Sequence, residues 1–213
     1  MLSMNFKYLI FCFYIFLMAG ITFTACKETP KKLPIIGERE IIGKDTIFHK
    51  IPQFSFLNQD SIEISNRDFD QNIYVTDFFF TSCPSICPKV KRQMLRIYDK
   101  FENDPVLKIV SHTMDPKRDT PTRLKTFAEN LEVDTDRWIF LTGDKDSLLD
   151  MSENYFIAAY EDKEAPGGFD HSGKIVLVDK KRHVRAFAEG TDPDDVTDFL
   201  TDIQVLINEV NSN

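Results

Sequence analysis

The sequence predicts a single α/β domain with a central mixed sheet flanked by helices. Three observations predict it. Strand-like and helix-like stretches alternate from about residue 50 onward. Residues 73–80 form a run of apolar and β-branched residues, as a strand covered on both faces requires. The last two strand-like stretches are joined by a short polar turn, which adds an antiparallel pair to the sheet.

The elements follow in order. Residues 54–57 and 62–64, with Asn58-Gln59-Asp60-Ser61 between them, read as a short hairpin. Residues 73–80 are the central strand, and Pro88 opens a helix over 88–101. On that helix Val90, Met94, Leu95, Ile97, Tyr98 and Phe101 form a stripe suited to burial. A strand over 106–111 leads to a helix over 121–130, capped by Thr120 or Asp119. Another strand covers 138–141, and Gly143-Asp144 turns the chain into a helix over 147–155. Residues 161–170 read as loop around Pro166-Gly167-Gly168. Strands over 174–178 and 183–188 make a closing hairpin through Asp179-Lys180-Lys181-Arg182. Asp192 to Asp195 start a last helix that ends near Val210, with two acids complementing its N-terminus.

Residues 1–25 have the pattern of an export signal. Lys7 is the only charge before an apolar run from Tyr8 to Phe23, and Thr24-Ala25-Cys26 closes the segment. A small residue directly before Cys resembles the lipobox of bacterial lipoproteins. That resemblance implies a signal peptide over 1–25 and lipidation at Cys26. An uncleaved anchor is the alternative, because an apolar run this short lies near the lower limit for a membrane span. Either way the domain is expected in the bacterial cell envelope, tethered to a membrane and facing the periplasm or exterior. Residues 26–50, with Pro30, Pro34 and Gly37, read as a tether with a short strand at its end, and residues 51–213 as the domain. The net charge of −8 argues against nucleic acid or an anionic membrane surface as the partner.

The chain has four cysteines. Cys12 falls in the signal and Cys26 ends it, so Cys83 and Cys87 remain as partners for each other. Cys83 lies in the turn after the central strand, and Pro88 places Cys87 at or near the helix N-cap. Unpaired N–H groups at that end favour thiolates at both positions. Two thiolates so placed can close to a disulfide or hold a soft metal. A buried disulfide or inert core thiols are the bland alternative. A disulfide around so short a loop adds little stability, and a domain of this size does not need one. Among the four histidines, His171 stands out, after a Gly-rich loop and before an apolar strand. There it can reach across to another loop, with Asp170 or a carbonyl fixing its tautomer. An ordinary loop histidine is the competing reading.

Cys83-Pro84-Ser85-Ile86-Cys87-Pro88 resembles the CxxxCP motif of the SCO/SenC family, thioredoxin-like copper proteins that serve cytochrome c oxidase assembly. Asp115-Pro116-Lys117-Arg118-Asp119-Thr120-Pro121 is similar to that family's DPxRDTP segment. Trp138 to Gly143 resembles its WxFLTG strand, and Asp170-His171-Ser172 its DHS segment. The likeness implies a thioredoxin-like fold with an added N-terminal β-hairpin, and copper held by Cys83, Cys87 and His171. The first functional reading is a copper chaperone, expected as a monomer, that delivers copper to the copper-site subunit of cytochrome c oxidase or to another cuproprotein. Pro166-Gly167-Gly168-Phe169 departs from the Tyr- or Val-rich approach that many relatives carry before the histidine. Ligand chemistry agrees with copper: thiolates select Cu(I), and an added imidazole also accepts Cu(II). Zinc with a water in its fourth position remains an alternative on donor type. A second function stays open, a thiol–disulfide oxidoreductase whose redox-active pair is Cys83 and Cys87. A peroxidase on the same fold fits less well, since Thr81 precedes Cys83 by two residues instead of three.

Overall fold

The computed structural model describes residues 32–212, so the expected signal segment and Cys26 lie outside the described residues. Strands β1 (Arg39–Ile42) and β2 (Asp45–Phe48) form a separate antiparallel ribbon. Next come β3 (Ser55–Asn58) and β4 (Glu63–Ser65), which pair antiparallel as the expected hairpin. Strand β5 (Ile73–Phe79) runs into helix α1 (Cys87–Lys100), followed by β6 (Leu107–Thr113) and α2 (Pro121–Asn130). Then β7 (Trp138–Thr142) leads to α3 (Lys145–Asn154), and β8 (Ala159–Glu161) pairs with β9 (Phe169–His171). The chain ends with β10 (Lys174–Val178), β11 (Val184–Glu189) and α4 (Pro193–Asn211). Among the described residues no helix is long and apolar enough to cross a membrane.

The main sheet has seven strands in the order β11-β10-β5-β6-β7-β3-β4. Its centre, β5-β6-β7, is parallel, and the outer strands join antiparallel. Every residue of β5 is buried. Neighbours on a strand point to opposite faces, so burial of both Phe78 and Phe79 means that both faces of the sheet are covered. This is the thioredoxin-like arrangement, with the β3–β4 hairpin added at one edge. Helix boundaries follow side-chain capping. Thr120 accepts from the Arg123 N–H at α2, Asp144 from the Ser147 N–H at α3, and Asp192 from the Asp194 and Asp195 N–H groups at α4.

Two segments differ from their sequence reading. The stretch read as tether contains the β1–β2 ribbon, turned at Gly43-Lys44 with Gly43 at φ +65°. Its strands are exposed almost throughout, so no burial period marks them in the sequence. The stretch read as loop over 161–170 pairs at both ends, with Glu161 opposite Phe169 and Ala159 opposite His171. Three-residue strands are too short for alternation to reveal.

Two polar features of the core, the Asp77–Lys91 pair and His112, are buried. Asp77 interrupts the apolar strand and is fully buried. Lys91 reaches it from α1 at 2.8 Å, and its ammonium also meets the Ser111 hydroxyl at 3.0 Å and lies 4.0 Å above the Phe79 ring. Removing one partner of a buried pair strands the other, whereas replacing both restores an apolar core. Lys91→Met is expected to cost about 3–5 kcal/mol in urea unfolding, and Asp77→Val/Lys91→Met to recover most of it.

Among the described residues His112 has no hydrogen-bond partner on either ring nitrogen, and it stacks on Phe78 at 4.8 Å, with Phe54, Phe56 and Tyr155 around it. Burial pushes its pKa down to about 3. A folded-state value below the unfolded one contributes stability that is fully present above the unfolded pKa of about 6.5 and declines as pH falls toward the folded value. His112→Phe should remove about 3 kcal/mol of the destabilisation seen between pH 7 and pH 4. Equal acid sensitivity in the two proteins would contradict the assignment.

Candidate metal centre

Strand β5 ends where its neighbour β6 also ends, and the chain turns from Phe80 into Cys83. The Cys83 N–H returns to the Phe80 carbonyl at 3.2 Å, which closes the turn. Its base is tied down by Asp119, whose carboxylate accepts from the Thr81 N–H at 3.0 Å and from the Thr81 and Thr113 hydroxyls at 2.5 and 2.6 Å. Asp119 is thus an anchor of the cysteine turn, and the cap of α2 is Thr120 alone. Helix α1 starts at Cys87, one residue earlier than the sequence reading, with Ile86 as cap in helical conformation. Pro88 in the first turn removes no hydrogen bond, because N–H groups there have no intrahelical partner.

The two thiols are not equivalent. Burial works against a thiolate at Cys83, but hydrogen bonds from the Cys87 thiol and from the Ser85 and Cys87 N–H groups outweigh it and lower its pKa. Burial pushes the Cys87 thiol well up, and the neighbouring Cys83 pushes it further. The shift toward thiolate expected at both positions is found in direction at Cys83 and is reversed at Cys87, where desolvation exceeds what the helix end supplies. Both cysteines are free thiols.

His171 arrives from the last position of β9, held by pairing to Ala159. The Phe169 ring packs 5.3 Å from Phe80, and the imidazole lies edge-on to Phe80 at 6.2 Å. The loop ahead of β9 sits on the cysteine turn. A Cβ on Gly167, at φ +88°, would come 2.6 Å from the Phe80 ring and 3.5 Å from Pro84. Arg118 fastens this loop by donating to the Gly167 carbonyl at 3.3 Å while pairing with buried Asp115 at 2.8 Å. Glycine at position 167 is what lets the loop lie so close to the turn.

The three side chains meet. Cys87 Sγ lies 3.4 Å from His171 Nε2, and the ligand atoms of Cys83, Cys87 and His171 are all within 4.8 Å of one another. Bonds of about 2.0–2.3 Å to one ion set three trigonal donors roughly 3.5–4 Å apart, so the site closes on a metal with a shift of about an ångström. His171 Nδ1 is buried without a hydrogen-bond partner among the described residues. Asp170, expected behind it, instead accepts from the Tyr160 hydroxyl. Packing, not a second hydrogen bond, orients the ring. Burial also lowers the imidazole pKa against the opposing charges of Asp77 and Asp170, which keeps Nε2 available as a donor atom. Met114 is fully buried in the core.

A model of the SCO1/SenC family matches residues 44–206. The chain belongs to the SCO1/SenC family. Its relatives include the SCO1 protein homolog of Bacillus subtilis, 28% identical over 163 residues, covering 76% of this chain and 84% of that protein. A putative copper-binding protein of Stutzerimonas stutzeri is 31% identical over 144 residues, covering 64% of this chain and 69% of that one. Among solved structures, a SCO1/SenC family lipoprotein from Bacillus anthracis superposes with a TM-score of 0.67 at 26% identity, covering 74% and 94% of the two chains. BsSco, described as having a disulfide switch and as a member of a family of cytochrome c oxidase assembly proteins, gives 0.63 at 25%, covering 75% and 94%.

Within this SCO1/SenC site the chemistry of loading follows from the protonation states. A metal must displace the Cys87 proton, so affinity rises with pH. Competition against a chelator is expected to show at least about tenfold tighter binding per pH unit between pH 6 and pH 8, for the proton displaced from Cys87. Affinity that does not change with pH would contradict a protonated Cys87.

Proposed function

We propose that this protein is a membrane-tethered copper metallochaperone. It binds one copper ion through Cys83, Cys87 and His171 and delivers it for assembly of the copper site of cytochrome c oxidase or another cuproprotein. The observation that carries the reading is the approach of two thiols and one imidazole, with Cys87 and His171 84 residues apart in the chain, to within 4.8 Å of one another. Two sulfurs favour Cu(I), the imidazole admits Cu(II), and a set of three protein donors among the described residues leaves the site open for hand-over. Support for copper and for oxidase assembly also comes from what the relatives are said to bind and to assemble. The tether reading has residues 1–25 as a lipoprotein signal and Cys26 as the lipidated residue, in the bacterial cell envelope. The apolar run to Phe23 and the lipoprotein relative support it.

The inequality of the two thiols favours a second reading, a thiol–disulfide oxidoreductase. Cys83, with its lowered pKa, would attack a partner disulfide and release one partner thiol. Cys87 would then give up its proton and displace the second, so that the protein's dithiol is oxidised as the partner's disulfide is reduced. His171 separates the readings. Copper titration of His171→Ala against a competing chelator is expected to show affinity at least about 100-fold weaker, the upper range for losing support at a metal site. Two titratable thiols should remain. Unchanged copper affinity with His171 gone would sink the chaperone reading and leave thiol exchange.

A further inference from the structure

A cleft of about 1040 Å³ opens at the opposite end of the sheet from the metal centre. Val178, just before the β10–β11 turn, pairs with Tyr74 at the start of β5, whereas the cysteine turn follows the end of β5. The β1–β2 ribbon forms one wall, tied to that turn by the Ile51 N–H on the Arg182 carbonyl at 2.9 Å and by the Ile36–Val184 bridge. Lys32, Lys50, Lys180 and Lys181 line the cleft, and none has an acid partner among the described residues. Its two acids, Asp179 and Glu209, are both engaged by buried Arg185. The cleft is therefore positive in a chain whose net charge is −8. The ribbon's own charges nearly cancel, with Glu38, Glu40 and Asp45 against Arg39 and Lys44.

The same face carries exposed apolar side chains. Ile41 is 72% exposed, Ile42 52% and Ile47 51%, all around the tip and edge of a ribbon that has solvent on both faces. Unpaired lysines beside protruding isoleucines match the two layers of a bilayer surface, phosphate above and acyl chain below. Chain length agrees. On the tether reading five residues, Lys27 to Lys31, separate Cys26 from Lys32, a reach of at most about 20 Å even when fully extended.

We infer that this face docks on a bilayer containing anionic phospholipid, with the lysines on headgroup phosphates and the Ile41–Ile42 tip in the interface. The inference takes its nearness to a bilayer from the tether reading. Its consequence is orientation: the metal centre, beyond the length of β5, stands away from the membrane and is presented to a partner.

Hydrogen exchange of the full chain on vesicles tests it, using phosphatidylcholine alone or mixed with phosphatidylglycerol. Exchange over residues 40–48 is expected to slow at least about tenfold on the anionic vesicles, since each lysine near such a surface contributes about a factor of five. Lys50→Gln/Lys180→Gln/Lys181→Gln should restore the rate seen on phosphatidylcholine. A chain that floats only with anionic vesicles supports docking while the tether fails. One held by both vesicle types with identical ribbon exchange, or by neither, overturns docking, and in the first of these cases the tether stands.

Discussion

The Asp119 carboxylate, fully buried, accepts from the Thr81 N–H and from the hydroxyls of Thr81 and Thr113, and so fastens the end of β5 to the end of β6 two residues before Cys83. Arg123 approaches from the solvent side, its guanidinium 3.6 Å from the same carboxylate. A buried carboxylate satisfied by three donors is expensive to disturb, because any donor withdrawn leaves a desolvated acceptor behind. The turn that follows therefore has one way to leave the sheet. Both sulfurs and the start of α1 take their positions from it, and Phe80, within the same turn, is the surface on which the histidine loop rests.

The site is built from burial more than from charge. Desolvation raises the Cys87 thiol and lowers the His171 imidazole, so both are neutral where they touch. Beneath them the Lys91–Asp77 pair carries opposite charges whose effects on His171 oppose each other. Neutral donors packed tightly can wait beside one another without repulsion. An arriving soft cation turns Cys87 into a thiolate and supplies the charge that the pocket lacks.

Much of this was legible in the residues. The alternation of periods gave the element order, and Cys83, Cys87 and His171 stood out because so few cysteines and histidines exist in the domain. The polar framework was harder to see. Asp119 looked like a helix cap, since capping and anchoring call for the same residue type and only the fold shows which donors surround the carboxylate. Asp77 is a single acid inside an apolar strand, and its partner Lys91 lies across the sheet on a helix. Pairing at that distance leaves no local pattern. The closeness of Gly167 to Phe80 depends on a loop path that composition does not encode. The β8–β9 ribbon that carries His171 was invisible for the same reason that short strands usually are.

The two ends of the sheet divide the labour. One end gathers the donors under a glycine-containing loop latched by Arg118, and the other carries the ribbon and the positive cleft. X-ray absorption at the copper edge of the loaded protein probes the central claim most directly. The account predicts a first shell of two sulfurs and one imidazole nitrogen, with the outer-ring scattering of a histidine. A shell of sulfur alone, or one without imidazole scattering, would contradict it.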